Sequence, residues 1–224
     1  MKVFITRIIP EAGLQLLREA GIEIKQWTEK RDLTPQELIE HCKNADALLS
    51  AGSNKIDKTF LTACSHLKVI SLHSVGYDRV DVAAATALKI PVGNTPGVLS
   101  DATADLAFLL ILATSRKAIY MHKTIQRGEW KFFDPIANLG IEIRGKTLGI
   151  FGLGKIGYEL ARSCAAAFQM KIIYHNRNRN EAAEKELNAV YVSFDGLLQQ
   201  SDILSVNTAL TPETKGKFNR EVFS

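Results

Sequence analysis

The sequence predicts an α/β fold built on two parallel sheets, each covered by helices on both faces. Short apolar segments of strand character alternate with helical segments along residues 1–93, which is typical of a doubly wound sheet. A loop-rich stretch interrupts this alternation, and the pattern resumes at Lys146. We therefore expect two domains, at residues 1–98 and 99–224, the second holding only about four strands of its sheet.

Strands and helices alternate in order through the first predicted domain. Apolar or β-rich stretches predict strands at residues 3–9, 22–27, 47–50, 69–73 and 90–92. Helices are predicted at residues 12–20, from residue 35, at 57–64 and at 80–88. Gly21 suits a helix end, and Thr34-Pro35 suits a helix start, because proline is favoured at the first helical position.

A loop and then a long helix separate the two stretches of alternation. The loop signal is a cluster of prolines, glycines and one asparagine: Pro91, Gly93, Asn94, Pro96 and Gly97. Ser100 is predicted to begin a helix that extends to about Gln126. Residues 106–113 are apolar on every side of that helix, so we expect it to be buried against the domain or a partner chain.

The second predicted domain contains a glycine-rich turn between a strand and a helix. Strands are predicted at 147–151, 170–174, 190–192 and 203–206, with helices at 156–168, 181–187 and 194–200. Gly152, Gly154 and Gly157 have G-x-G-x-x-G spacing, which allows a tight turn, close approach of the backbone to a pyrophosphate, and close helix packing. This context favours a Rossmann dinucleotide site over a glycine-rich turn without a ligand.

Basic residues follow the next strand, where the adenosine ribose of a dinucleotide lies. An acidic residue at this place accepts a hydrogen bond from the 2′-hydroxyl of NAD. The sequence has no acidic residue between Glu159 and Glu181, and instead has Arg177 and Arg179. Two arginines suit the 2′-phosphate of NADP, so we expect NADP, with NAD possible, although solvated surface arginines are the alternative.

Composition excludes several classes of function. The net charge is +4, from 28 Lys and Arg against 24 Asp and Glu, without the charge run expected of a nucleic-acid-binding protein. The longest apolar stretch is too short to cross a membrane. The three cysteines lack C-x-x-C spacing and predict reduced thiols in a cytoplasmic protein, and no metal-ligand spacing is present.

Several separate segments resemble the D-isomer-specific 2-hydroxyacid dehydrogenases, which are NAD(P)-dependent reductases of 2-keto acids. The segments are Ser74–Asp78, Asn94–Leu99, Gly128–Trp130, Arg144–Ile150, Ser201–Leu204 and Leu210–Gly216. Within the family, the sequence is most similar to the glyoxylate/hydroxypyruvate reductases and 2-ketogluconate reductases. The resemblance implies a flavodoxin-like substrate-binding domain, an incomplete Rossmann domain, and hydride transfer to a small 2-keto acid.

The resemblance also implies roles for individual residues. Ser74, Val75 and Gly76 would bind the substrate carboxylate, at the carboxyl end of a strand where ligands of open α/β sheets bind. With the glycine loop and the arginines, the expected cofactor-binding residues are Val75, Gly152, Gly154, Lys155, Ile156, Gly157, Asn176, Arg177, Arg179 and Thr208. Thr208 precedes Ala209, where the family usually has proline.

The catalytic residues of the family are expected to be missing. Its arginine, glutamate and histidine lie beyond the last matched motif, so we expect a C-terminally truncated chain that is inactive alone. The resemblance implies a homodimer through the helix that begins near Ser100. The alternative is a non-catalytic dinucleotide-binding dimer, as in the C-terminal-binding-protein corepressors, or a regulatory or defective homologue. A methyltransferase is disfavoured, because arginines stand where an acid would bind its ribose.

Overall fold

The computed structural model describes residues 1–223, which form two compact units. The first is Met1–Val98, and the second begins at Leu99. Both units have parallel sheets with helices between successive strands, so the predicted α/β class is confirmed.

The first unit alternates strands and helices along its whole length. Its elements are β1 (Lys2–Ile5), α1 (Glu11–Glu19), β2 (Glu23–Gln26), α2 (Pro35–Cys42), β3 (Ala47–Ser50), α3 (Lys58–Ala63), β4 (Val69–Leu72), α4 (Val82–Ala87) and β5 (Val92–Gly93). The strands lie in the order β2-β1-β3-β4-β5 and all neighbours are parallel. This is the flavodoxin-like strand order that the resemblance implied.

Both faces of this sheet are buried. Phe4, Leu48 and Ile70 belong to one apolar cluster, whereas Val3 and Ile5 belong to another. Successive residues of a strand point to opposite faces, so the inner strands β1 and β3 are apolar at most positions. The edge strand β2, with the sequence Glu23-Ile24-Lys25-Gln26, is only partly buried.

The second unit begins with two helices and continues with a second parallel sheet. Its elements are α5 (Ser100–Ser115), α6 (Ala118–Gln126), β6 (Thr147–Phe151), α7 (Lys155–Phe168), β7 (Lys171–His175), α8 (Glu181–Leu187), β8 (Val190–Tyr191), α9 (Phe194–Gln200), β9 (Ile203–Val206) and a 3-10 turn at Glu221–Phe223. The strand order is β8-β7-β6-β9. This is the order 3-2-1-4 of a Rossmann sheet. All neighbouring strands are parallel, and the strand order reverses at β6, because β7 and β8 lie on one side of it and β9 lies on the other.

The single long helix expected from Ser100 to Gln126 is wrong, because the structure has two helices there. Lys117 has a φ of 52° and breaks the helix after α5. The carbonyl of Ser115 accepts a hydrogen bond from the N–H of Ile141 at 2.8 Å. A Cβ on Gly140 would lie 2.5 Å from that carbonyl oxygen, so a glycine is needed where the later segment crosses the helix end.

Helix α5 is buried on one side in this chain. Ala104 and Ile111 pack into the core of the second unit, whereas Leu106, Leu109 and Leu110 are exposed. The expectation of burial on every side is therefore not met by residues 1–223 alone. Within this part of the chain, no helix has the length and apolar character needed to span a lipid bilayer.

Candidate functional site

A cavity of about 600 Å³ lies in the second unit, at the carboxyl ends of β6, β7 and β9. The residues that line it are Phe151, Gly152, Gly154, His175, Asn176, Arg177, Asn178, Asn207, Thr208, Ala209, Thr211, Glu213, Thr214 and Lys217. It lies where the strand order reverses, which is where open α/β sheets bind their ligands. Its volume is in the usual range for small-molecule and cofactor sites.

Two glycines of the G-x-G-x-x-G turn are required by the packing of the protein. Gly152 has a φ of 96°, and a Cβ there would lie 2.7 Å from the carbonyl oxygen of Asn207. A Cβ on Gly157 would lie 2.7 Å from the carbonyl oxygen of Gly152 and 3.1 Å from Cγ2 of Ile150. These glycines let α7 and the chain after β9 approach the turn closely.

Gly154 is different, because the protein leaves open space beside it. A Cβ on Gly154 would meet no atom within 4 Å among the described residues outside its chain neighbours, and Gly154 lines the cavity. The backbone N–H groups of Lys155, Ile156 and Gly157 find no acceptor within residues 1–223, and no side chain caps α7 there. Open space beside unpaired donors at a helix N-terminus fits the pyrophosphate of a dinucleotide.

The structure brings Arg177 to this cavity and holds Arg179 elsewhere. Arg177 is one of the lining residues. Arg179 donates from Nε to Oε1 of Glu184 at 2.9 Å and from Nη2 to Oε2 at 2.5 Å. Its guanidinium also lies 5.9 Å from the ring centroid of Tyr191. The guanidinium of Arg179 holds the pKa of Glu184 below its ordinary value, as expected for a paired carboxylate.

Asn176 lines the cavity, but its side-chain amide is bound to the glycine turn. Its Oδ1 accepts a hydrogen bond from the N–H of Leu153 at 2.6 Å, and its Nδ2 donates to the carbonyl of Leu153 at 3.3 Å. The amide that the resemblance assigned to the adenosine ribose therefore contacts the protein backbone.

Two charged residues of the cavity were not expected from the sequence. Glu213 and Lys217 line it, on the irregular segment that follows β9. The ammonium of Lys217 lies 4.2 Å from the ring centroid of Phe194. A hydrogen bond from Thr211 is the main cause that lowers the pKa of Glu213, and the charge of Arg177 adds to it. Neither periodicity nor motif spacing predicts these two residues as part of the site, because only the tertiary path of the segment after β9 places them at the cavity.

A second group of unpaired donors lies in the first unit, after β4. The carbonyl of Val75 accepts from Nδ2 of Asn94 at 2.8 Å, and that of Ser74 accepts from the N–H of Thr95 at 3.0 Å. Ser74 Oγ donates to the carbonyl of Gly76 at 2.8 Å. The N–H groups of Val75 and Gly76 have no acceptor within residues 1–223. Occupied carbonyls beside available donors favour an anion.

His175 is the histidine of the cavity, and its surroundings favour a structural role. Its Nδ1 lies 2.9 Å from the carbonyl oxygen of Val192. Its ring stacks on Phe151 with 5.8 Å between centroids, and on Tyr191 at the same separation. In the described part of the chain, no cluster of His, Cys, Asp and Glu side chains is placed to hold a metal ion.

Comparisons with known proteins agree with this geometry. Residues 108–224 match the family model described as "D-isomer specific 2-hydroxyacid dehydrogenase, NAD binding domain". A glyoxylate reductase of Thermococcus litoralis is 45% identical over 217 residues, which are 95% of this chain and 65% of the relative. The chain thus spans less than two thirds of that relative's length.

Solved structures are similar to this chain over nearly its whole length. A crystal structure of a Thermus thermophilus protein has a TM-score of 0.90 and 37% identity, covering 99% of this chain and 69% of that one. A glyoxylate reductase from Paecilomyes thermophila has a TM-score of 0.84 and 33% identity, with 99% and 69% covered. The matched model describes an NAD-binding domain, and the residues that it matches include the glycine turn, the four-stranded sheet and the lining of the cavity described above. The chain therefore belongs to the family of D-isomer specific 2-hydroxyacid dehydrogenases.

Proposed function

We propose that this chain binds NADPH in the cavity of the second unit, as part of a reductase of small 2-keto acids of the glyoxylate reductase type. The observation that carries the proposal is the open space beside Gly154, next to the N–H groups of Lys155 and Ile156 that lack an acceptor within residues 1–223. The names of the relatives support the reaction, since the Thermococcus litoralis and Paecilomyes thermophila proteins are both glyoxylate reductases.

Each part of the cofactor has proposed partners in the cavity. Lys155, Ile156 and Gly157 donate backbone hydrogen bonds to the pyrophosphate. Arg177 pairs with the 2′-phosphate, which is the reason for preferring NADP over NAD. Thr208, two residues after the end of β9, is the proposed partner on the nicotinamide side. When bound, NADPH supplies the hydride that reduces the keto carbon.

The two units have different proposed tasks. Residues 1–98 form the substrate-binding part, in which Ser74, Val75 and Gly76 hold the substrate carboxylate. Residues 99–224 form the cofactor-binding part. Glyoxylate, hydroxypyruvate and 2-ketogluconate all present a carboxylate next to a carbonyl carbon, so one set of backbone donors serves each of them.

Calorimetric titration with NADPH and NADH tests the cofactor. A hydrogen bond to a charged group contributes about 1.5–3 kcal/mol, so we expect NADPH to bind roughly 10–100 times more tightly than NADH. Arg177→Asp should remove this preference. The matched control is Lys185→Asp, which changes an exposed cation of α8 and should leave the preference intact. Equal binding of the two cofactors by the parent chain would refute the 2′-phosphate assignment.

We also propose that this chain alone turns over slowly. The resemblance places the family's catalytic arginine, glutamate and histidine outside the segments matched in the sequence, and we propose that residues 1–224 supply no proton donor for the keto oxygen. Oxidation of NADPH in the presence of glyoxylate or hydroxypyruvate measures this directly. Turnover at a rate ordinary for an enzyme, about 1–1,000 per second, would contradict it.

The exposed face of α5 is proposed to contact a second copy of the chain. Leu106, Leu109 and Leu110 form an apolar surface there, and such surfaces mark association sites. Leu109→Glu should convert a dimer to a monomer in sedimentation velocity, whereas Leu16→Glu, at a similarly exposed leucine of α1, should not. A parent chain that is monomeric at high concentration would overturn this proposal.

A cytoplasmic location completes the proposal. Cys42, Cys64 and Cys164 are free and buried, which agrees with a reducing compartment.

A further inference from the structure

The backbone of Leu153, between the first two glycines of the turn, is held on both sides by asparagine side chains. Its N–H donates to Asn176 at 2.6 Å, and its carbonyl accepts from Nδ2 of Asn176 at 3.3 Å and from Nδ2 of Asn180 at 3.1 Å. The side chain of Leu153 is buried in the core of the second unit. Both the backbone and the side chain of Leu153 are thus held in place, next to Gly154 and the start of α7.

Asn180 is in turn fixed by groups of β7 and α8. Its Oδ1 accepts from the N–H of Ala183 at 3.2 Å and so caps α8. Its own N–H donates to the hydroxyl of Tyr174 at 2.7 Å, and that hydroxyl donates to Glu184 at 2.5 Å. Arg179 holds the same carboxylate. A continuous set of hydrogen bonds therefore leads from Arg179 to the glycine turn.

These contacts decide which donors of the turn are available. The N–H of Leu153 is occupied by Asn176, and that of Gly154 donates to the carbonyl of Gly152 at 2.9 Å. The N–H groups of Lys155 and Ile156 are left without an acceptor among the described residues. An asparagine suits this task because its amide has both a donor and an acceptor, which match the carbonyl and the N–H of one residue.

We propose that Asn176 and Asn180 are positioning residues that set the glycine turn for a pyrophosphate, with Arg179 and Glu184 holding Asn180 in place. In this arrangement Asn176 and Arg179 act through the turn and not through the adenosine ribose. The inference rests on the proposed binding of a dinucleotide at this site.

Two ligands separate the positioning role from a direct contact. NADPH contains the pyrophosphate, whereas adenosine 2′-monophosphate contains the phosphorylated ribose without it. The Asn176→Ala and Asn180→Ala variants lose hydrogen bonds to Leu153. Each should therefore bind NADPH about tenfold more weakly than the parent chain does. Binding of adenosine 2′-monophosphate should change less than about twofold, within the scatter of neutral substitutions. Gln199→Ala removes an exposed amide of α9 and is the matched control.

Arg179→Gln provides a variant at the exposed end of the network. This variant should have its affinities for NADPH and NADH lowered by the same small factor, so the ratio of the two dissociation constants should not change. A selective loss of NADPH affinity would mean that Arg179 contacts the 2′-phosphate, and would overturn the inference for this residue.

Amide hydrogen exchange of the free protein supplies a readout that needs no ligand. The N–H of Leu153 should exchange about tenfold faster in Asn176→Ala than in Gln199→Ala, because its acceptor is gone. Unchanged exchange of the Leu153 N–H, unchanged affinity for NADPH, or an equal loss of affinity for NADPH and adenosine 2′-monophosphate would each refute the positioning role. None of these results would refute the proposed function. A parent chain that binds neither ligand would refute both.

Discussion

Gly157 and Gly154 of the turn differ in how much room the protein leaves for a side chain. Gly157 has no room for a Cβ, which would lie 2.7 Å from the carbonyl oxygen of Gly152. We predict that Gly157→Ala lowers the free energy of unfolding by about 1–3 kcal/mol, as overpacking does elsewhere. Urea unfolding followed by circular dichroism measures this. An unchanged midpoint would show that α7 shifts without cost.

Gly154→Ala is the matched substitution at the open position. The backbone of Gly154 is extended, with φ of −91° and ψ of −158°, so an alanine fits there without strain. We predict a change in the free energy of unfolding within about 0.5 kcal/mol. Its methyl group would occupy the space proposed for the pyrophosphate, so NADPH affinity should fall about tenfold or more. Normal NADPH binding by a folded Gly154→Ala protein would contradict the proposed site.

Cys164 is predicted to be unreactive in the folded protein. Burial raises the pKa of its thiol to about 11, so the thiolate fraction at pH 8 is smaller than for an ordinary cysteine. Iodoacetamide should label Cys164 slowly in buffer and quickly in urea, as followed by mass spectrometry of its peptide. Equal labelling rates in the two conditions would show that α7 opens readily.

At the scale of elements, helix α2 shows how strongly local residues set a helix start. Thr34 accepts from the N–H of Glu37 at 3.2 Å, and the N–H of Thr34 donates to Glu37 at 2.8 Å, which is a capping box. We predict that Thr34→Ala lowers the stability of the first unit by about 1 kcal/mol. Fluorescence of the buried Trp27 during urea unfolding, with Trp130 of the second unit replaced by phenylalanine, measures this unit. A change below about 0.3 kcal/mol would contradict the capping role.

The same cap predicts a dependence on pH. Hydrogen bonds from Arg31 are the main cause that lowers the pKa of Glu37 to about 2. A depressed pKa in the folded state stabilises the protein above the ordinary value of 4.5, and this contribution is lost as the pH falls towards 2. Glu37→Gln should therefore destabilise the first unit at pH 7 and much less at pH 2.5. An equal effect at both pH values would exclude the carboxylate as the cause.

Elements with local signals were predictable, and elements set by tertiary contacts were not. The proline after Thr34 predicted the start of α2, and the structure begins that helix at Pro35. The break at Lys117 has no glycine or proline beside it, and its contact with Gly140 and Ile141 involves a distant part of the chain that no local pattern reveals. In the site, spacing pointed to the glycine turn and to Arg177. Glu213 and Lys217 depend on the return of an irregular segment, which no periodicity encodes.

At the scale of the whole molecule, the two units share one structural feature. In each, a turn after a parallel strand leaves backbone donors without an acceptor in residues 1–223: Val75 and Gly76 after β4, and Lys155 and Ile156 after β6. The carboxyl ends of parallel strands are where α/β sheets bind ligands, so each unit presents donors to an anion at that edge. We propose that the donors of the first unit bind the carboxylate of the substrate and that those of the second unit bind the pyrophosphate of the cofactor.

The glycine turn of the second unit is proposed to bind the pyrophosphate of NADPH. Titration of the ¹⁵N-labelled chain with NADPH, followed by amide NMR shifts, reports on these backbone N–H groups individually. We expect saturable shifts that are largest at Lys155, Ile156 and Gly157, with further shifts at Arg177 and Thr208. Saturable shifts confined to other residues, or no shifts at millimolar NADPH, would contradict it.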